Sequence, residues 1–128
     1  MIQSQDRYAA QIVKELEQAA ASINAAAAEP LIEALVRAGT IFVAGAGRSG
    51  LMMKAFAMRL MHLGYRVHVV GETVTPGIAE GDLLLVGTGS GETRSLIGMV
   101  EKAKQLHAAV GAITIQPQSS IASRSDLV

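Results

Sequence analysis

The chain has 128 residues, half of them apolar, and its 11 basic residues balance its 11 acidic ones. A chain of this length forms one domain with a sizeable core, and its charge balance creates no field that favours nucleic acid or a membrane surface. The absence of cysteine excludes disulfides and thiolate chemistry, while the polar N-terminus and the lack of an apolar run near ~20 residues predict a cytoplasmic protein without a signal peptide or membrane span.

The first part of the chain predicts two helices. Residues 4–27 read as one helix, and Pro30 suits the first turn of a second helix over residues 31–37. The first helix carries a narrow apolar stripe at helical spacing, formed by Tyr8, Ile12, Leu16, Ala19, Ala20 and Ile23. A stripe of this kind packs either on another subunit or on the helix's own sheet.

A strand, a glycine-rich turn and a helix are predicted next. Residues 41–44 are a short apolar run typical of a buried parallel strand, residues 45–50 read GAGRSG, and helix formers follow from about Ser49. Glycines let a backbone approach a ligand closely, and a helix N-terminus directs free N–H groups at it. We expect the methionines of this helix to be buried against the sheet: Met52, Met53, Met58 and Met61.

The same arrangement recurs later in the chain. Residues 83–86 form a second apolar strand, residues 87–93 read GTGSGET, and a helix is predicted over about residues 92–107. Two such loops, each between a strand and a helix, indicate one pocket at the C-terminal edge of a parallel sheet.

The remaining strands complete an α/β pattern. Residues 65–70 and 109–115 read as strands, residues 119–123 as a helical turn, and residues 126–128 as the start of a fifth strand. Strands alternating with helices predict a doubly wound parallel five-stranded sheet flanked by helices, of the flavodoxin-like or Rossmann-like type, in a single domain over residues 1–128. No helix follows the last strand, so either a partner covers that flank or the chain is shorter than its relatives.

Two kinds of ligand suit these loops. Gly45, Gly47 and Gly50 match the GxGxxG dinucleotide fingerprint, with Glu72 near the end of the second strand as a ribose-binding acid. The second glycine loop has no role in that fingerprint, however, and Glu72 follows Gly71 in a loop. A phosphorylated small molecule therefore explains more of the sequence.

Hydroxyl groups are concentrated where a phosphate would bind. Ser49, Thr88, Ser90 and Thr93 can each donate a hydrogen bond to phosphate oxygen, and the backbone N–H groups of residues 90–93 are predicted to form a nest beside a helix N-terminus. The alternative for each side chain is a helix cap or a turn. Arg48 either neutralises phosphate or forms a salt bridge between subunits.

The two loops together are similar to those of the sugar isomerase (SIS) domain family, a phosphosugar-binding fold. More narrowly, FAMRLMHLGYRVHVVGETVTP (56–76) resembles the 6-phospho-3-hexuloisomerases of the ribulose monophosphate pathway of formaldehyde fixation. The resemblance implies interconversion of D-arabino-hex-3-ulose 6-phosphate and fructose 6-phosphate through a cis-enediol, without metal, nucleotide or other cofactor. It also implies a homotetramer with active sites at subunit interfaces.

The resemblance also assigns residues to the substrate. It places Gly45 and Ser49 along the sugar, and the phosphate is held by Ser90, Gly91, Glu92 and Thr93; the same two loops add Gly47, Arg48, Thr88 and Gly89 to the candidate site. We expect the Glu92 carboxylate itself to point away, because it would repel a bound phosphate. Its place at the start of a predicted helix is favourable for dipole reasons alone.

The catalytic base is less well defined by the sequence. The family's presumed base is a glutamate in a helix after the fifth strand, and this sequence ends before that position. Within the chain, His62 matches the family's MHLG segment and either assists ring opening or proton transfer or caps a helix; Glu72 either faces the pocket or serves a loop or interface. His68 and His107 are expected to be structural. The alternative function is a non-catalytic phosphosugar-binding or regulatory module.

Overall fold

The computed structural model describes residues 2–128, with side chains described from residue 4 onward. The helices are α1 (Ile2–Ala21), α2 (Glu29–Arg37), α3 (Gly47–His62), α4 (Arg94–Gln105) and α5 (Ser120–Arg124), and a 3-10 turn spans Ala25–Ala28. The strands are β1 (Ile41–Gly45), β2 (Val67–Val69), β3 (Leu83–Gly87) and β4 (Ala109–Ile113).

The strands form one parallel sheet in the order β2-β1-β3-β4, which confirms the predicted α/β fold class. The sheet has four strands and not the predicted five. Leu127 pairs with Gly111 in a single parallel bridge. At the preceding residue the Asp126 carboxylate accepts the Val110 N–H at 2.8 Å, in place of a backbone carbonyl, so the strand pairing is confined to one residue.

The sheet is buried on both faces, which explains why its strands are almost continuously apolar. One face packs against α2 and α3 through residues such as Val43, Leu85 and Leu60. The other packs against α4 and α5 through residues such as Val86 and Val100. Helix α3 follows β1 on one face of the sheet, whereas α4 follows β3 on the other. The direction in which successive strands are added to the sheet therefore reverses between β1 and β3, the two central strands.

The first helix differs from its prediction. Helix α1 ends at Ala21, and Asn24 caps the 3-10 turn by accepting the Ala26 N–H at 3.0 Å, so residues 4–27 are not one continuous helix. Every side chain described in α1 is exposed. The stripe therefore does not lie on its own sheet, which leaves packing on another subunit as the open alternative.

No single helix among residues 2–128 is long and apolar enough to cross a membrane. Residues 4–21 and 25–37 pass such a test only as a pair joined across a bend of 71°, which is weak evidence for a span.

The methionine-rich helix is also less buried than predicted. Met53 is 5% exposed and packs on the sheet, but Met52, Met58 and Met61 are more than half exposed. These three lie on the outer side of α3, because the helix covers the sheet with only one stripe.

Element boundaries shift by small amounts: β2 is shorter than residues 65–70, and β4 ends at Ile113 instead of residue 115.

The close approach of β1 to α3 should make Gly45 intolerant of a side chain. A Cβ at Gly45 would lie 2.8 Å from the Gly50 Cα, so backbone would have to move. We expect Gly45→Ala to lower the free energy of unfolding in urea by about 1–3 kcal/mol. Gly98→Ala is the control, since a Cβ there meets nothing within 4 Å. It should raise stability by about 0.5–1 kcal/mol in the α4 interior, and an equal effect of both variants would contradict the packing argument.

Candidate functional site

The two glycine loops leave the sheet side by side. In the parallel register, Gly45 of β1 lies opposite Gly87 of β3, which in turn lies opposite Ile113 of β4. Neighbouring strands are separated by about 4.8 Å. The loops therefore begin at adjacent positions on the C-terminal edge of the sheet, at the point where the strand order reverses. Ligands of open α/β sheets bind at this point.

The first loop is shaped by close backbone contact. Gly45 and Gly50 touch, and Gly47 has a φ of 58°, a left-handed conformation that suits glycine. Helix α3 already begins at Gly47, with Ala46 as an N-cap that supplies no side-chain hydrogen bond. Ser49 is therefore not a helix cap, and within residues 2–128 its hydroxyl makes no hydrogen bond.

The second loop is held together by its own hydroxyls. The buried Thr88 Oγ1 accepts the Gly91 N–H at 3.0 Å, and the exposed Ser90 Oγ accepts the Glu92 N–H at 3.1 Å. Two of the four N–H groups predicted to form a phosphate nest are thus engaged inside the loop. A hydroxyl that accepts one hydrogen bond can still donate another, so both side chains keep a proton for a ligand.

Helix α4 supplies further donors at the end of this loop. Thr93 is its N-cap residue, and the Thr93 side chain makes no capping hydrogen bond. The first N–H bonded to the Thr93 carbonyl is that of Leu96, at 3.1 Å. The N–H groups of Arg94 and Ser95 therefore have no acceptor within the helix, and the N-terminus favours an anion.

A cleft of about 350 Å³ lies between the two loops. It is lined by Arg48, Ser49, Met52, Met53, Gly87, Thr88, Gly89, Ile113, Thr114 and Ile115. The structure thus brings four predicted site residues together in one cleft. Ser90, Gly91, Glu92 and Thr93 lie further along the same loop and do not line it. Arg48 is exposed and forms no ion pair within the described chain, so its charge is available to a ligand.

Thr114 is a cleft residue that the sequence analysis missed. Its Oγ1 donates to the Gly89 carbonyl at 3.3 Å and accepts the Gln116 N–H at 3.1 Å, joining the second loop to the end of β4. The sequence did contain an indication of this position, because Thr114 directly follows a strand at the edge that carries both glycine loops. The predicted extension of β4 to residue 115 concealed it.

The Glu92 carboxylate points away from the loop, as expected, but Glu92 does not open the helix as predicted. Helix α4 begins two residues later, and the Glu92 carboxylate instead accepts the Ser120 N–H at 2.8 Å, at the start of α5. Hydrogen bonds from the Ser120 hydroxyl and N–H, together with the nearby Arg124 charge, lower the pKa of the Glu92 carboxyl.

The two catalytic candidates lie apart. Glu72 follows β2 at the same edge as the glycine loops, in a turn where the Thr75 hydroxyl donates to the Val69 carbonyl at 2.7 Å. His62 ends α3, roughly 22 Å from the first loop at about 1.5 Å per helical residue. One chain therefore does not bring His62 to the cleft. His68 contacts the Phe42 ring, with centroids 5.7 Å apart, and so has a structural environment.

A second cavity, of about 410 Å³, lies on the α4 face of the sheet. Its walls are largely apolar and include Phe42, Val70, Leu84 and Leu106, with Lys102 among them. Neither glycine loop contributes to it. We therefore place the candidate site in the cleft between the loops, where the donors for an anion are concentrated.

The fold and the cleft define an α/β domain with a candidate ligand site at its topological switch point. The family model for the SIS domain matches residues 34–128, and the chain belongs to that family. The chain is 54% identical over 94% of its length to the 3-hexulose-6-phosphate isomerase of Bacillus subtilis (strain 168). It is 46% identical over 89% of its length to the enzyme of that name from Mycobacterium gastri.

Solved structures agree with this assignment. MJ1247 from Methanococcus jannaschii, whose crystal structure was described as inferring a function of 3-hexulose-6-phosphate isomerase, is 40% identical with a TM-score of 0.76. That match covers 79% of this chain and 56% of MJ1247. The present chain likewise spans 65% and 57% of the lengths of the Bacillus and Mycobacterium relatives. The resemblance found in the sequence is thereby confirmed.

The lowered pKa of Glu92 predicts how stability depends on pH. Because the folded protein binds this proton less tightly than the unfolded chain, the carboxylate stabilises the fold fully above its ordinary pKa of 4.5. That contribution is lost as pH falls through the lower folded-state pKa. Urea unfolding of wild type and Glu92→Gln at a series of pH values should show a free-energy difference that is constant at neutral pH and shrinks below pH 4.5. A difference independent of pH would contradict the Glu92–Ser120 interaction.

Proposed function

We propose that this chain carries the phosphosugar site of a 3-hexulose-6-phosphate isomerase, which interconverts D-arabino-hex-3-ulose 6-phosphate and fructose 6-phosphate. The observation that carries the proposal is the cleft formed where Gly45 and Gly87 pair, in a chain 54% identical to an isomerase of that name. We further propose that it acts in the cytoplasm, without metal or other cofactor.

The phosphate is assigned to the second loop and the start of α4. Ser90 and Thr93 each offer a hydroxyl proton, and the N–H groups of Arg94 and Ser95 are directed out of the helix. The sugar then extends across Gly45 and Gly47 toward Ser49 and the cleft, while Gly89, Gly91 and Thr88 shape the loop beneath it. Arg48 adds a positive charge at the rim.

Isomerisation moves a carbonyl from C3 to C2 of the sugar phosphate. A base removes the proton from C2, a cis-enediol forms between C2 and C3, and a proton returns to C3. Such chemistry needs one base and donors for the developing oxyanion. Glu72 is our candidate base, because it lies at the edge where the cleft opens.

His62 is the second candidate, supplied by a neighbouring subunit. Within one chain it lies at the far end of α3, in an exposed surface that also carries Met58, Met61 and Leu63. The exposed stripe of α1 is a second apolar surface of this kind. Both surfaces support a homotetramer with active sites at subunit interfaces.

Ser90→Ala tests the phosphate site directly. We expect the variant to bind fructose 6-phosphate about 1.5–3 kcal/mol more weakly in calorimetric titration, because a hydrogen bond to a charged group is lost. Ser123→Ala, on α5, is the matched serine control. Unchanged affinity in Ser90→Ala would remove Ser90 from the site. NADH titrated in parallel should give no heat, and binding of NADH alone would favour the dinucleotide interpretation.

Glu72→Gln separates catalysis from binding. If Glu72 is the base, conversion of fructose 6-phosphate to the 3-ulose should slow by about 10²–10⁴-fold with little change in affinity. Glu80→Gln is the control, since Glu80 is an exposed glutamate of the same crossover that lies toward the opposite edge. Wild-type protein that binds the sugar phosphate without turning it over would favour the non-catalytic module.

A further inference from the structure

The second glycine loop is attached to α5 through two successive residues. The Gly91 carbonyl accepts the Ile121 N–H at 3.0 Å, and the Glu92 carboxylate accepts the Ser120 N–H at 2.8 Å. A Cβ at Gly91 would lie 2.0 Å from the Ser119 Oγ, so the loop also presses against the residue that caps α5. These contacts join positions almost thirty residues apart.

The start of α5 is a fixed point in the fold. Ile121 is fully buried in the core that contains Leu96 and Val100, and Ser119 is 5% exposed. The Ser119 Oγ accepts the Ala122 N–H and caps the helix. A group bonded to the backbone of residues 120 and 121 is therefore held by the core of the domain.

The attachment controls the residues that face the ligand. Gly91 and Glu92 lie between Ser90 and Thr93, the two hydroxyl residues assigned to phosphate. The Glu92 N–H also donates to the Ser90 Oγ, so the position of residue 92 sets the orientation of the Ser90 hydroxyl. A loop fixed before the ligand arrives loses less conformational entropy on binding.

We propose that Glu92 is a positioning residue, whose carboxylate fastens the second glycine loop to α5 and so orders Ser90 and Thr93 for phosphate. This rests on the proposed function of the loop, and it gives Glu92 a different role from the phosphate contact that the resemblance implies. An ionised carboxylate only accepts hydrogen bonds and so cannot donate one to phosphate, and its negative charge would oppose the anion.

Two variants remove the same hydrogen bond from opposite sides. Glu92→Ala removes the acceptor. Ser120→Pro removes the N–H donor at the first residue of α5, where proline is favoured, and Ser119 has the extended ψ of 167° that a residue before proline requires. Ser123→Ala is the matched control, because it removes a hydroxyl of the same helix that donates to the Ser120 carbonyl instead of to Glu92.

The affinity for fructose 6-phosphate is the first measurement. We expect Glu92→Ala and Ser120→Pro each to weaken binding about threefold to tenfold, and the double variant no more than either alone. Ser123→Ala should stay within about twofold of wild type, and Glu92→Gln should fall between, because its amide oxygen accepts more weakly. Tighter binding by Glu92→Ala, or additive losses in the double variant, would overturn the proposal.

Amide hydrogen exchange without ligand is the second measurement. Exchange at Gly91 and Glu92 should accelerate in Glu92→Ala and Ser120→Pro but not in Ser123→Ala, while the core amides of β3 stay protected. Unchanged exchange at the loop would overturn the positioning role, even if phosphate binds. If wild type fails to bind fructose 6-phosphate, the function proposed for the loop fails, and the exchange result still decides whether Glu92 orders it.

Discussion

The candidate site depends on the parallel register that sets Gly45 opposite Gly87. A shift of one residue would move every residue of a strand to the opposite face, so the side chains that fit against α2 and α3 would meet α4 and α5 instead. The buried alternation of Val43 and Leu85 on one face with Ala44 and Val86 on the other therefore fixes the register. The two glycine loops come together as a consequence of the core, before any ligand is bound.

The two loops solve different physical problems. The first brings a helix N-terminus close to a strand, and its glycines serve backbone contact between Gly45 and Gly50. The second loop carries hydroxyl groups, and it is stabilised internally because the Thr88 and Ser90 hydroxyls accept two of its own backbone N–H groups. This difference explains why GxGxxG alone is a weak indicator of ligand class. Its glycines reflect close backbone packing, whereas the hydroxyl groups of the second loop indicate which kind of ligand the site could bind.

Much of this architecture could be predicted from local sequence. Short apolar runs bounded by glycine identified β1 and β3, and the rule that parallel strands end at one edge brought their loops together. The exposed outer side of α3 was not predictable, because Met52 and Met58 have the same helix propensity and hydrophobicity whether they face a sheet or another surface. The attachment of Glu92 to Ser120 was also beyond sequence reasoning, since it depends on how α5 folds back onto a loop 28 residues earlier. The fifth strand was overestimated because side-chain pairing by Asp126 replaces part of the backbone ladder.

The residues proposed for phosphate binding and those proposed for proton transfer lie in different parts of the chain. The donors assigned to phosphate all come from residues 90–95, which are ordered by contacts within one domain. The proton-transfer candidates come from elsewhere: Glu72 from the turn after β2, and His62 from the opposite end of α3. Binding energy can therefore be retained while catalytic geometry is completed or lost by changes far from the phosphate. Under the proposed function, the same α/β framework would serve as an isomerase where a catalytic base reaches the open side of the cleft. It would serve as a phosphosugar-binding module where no base does.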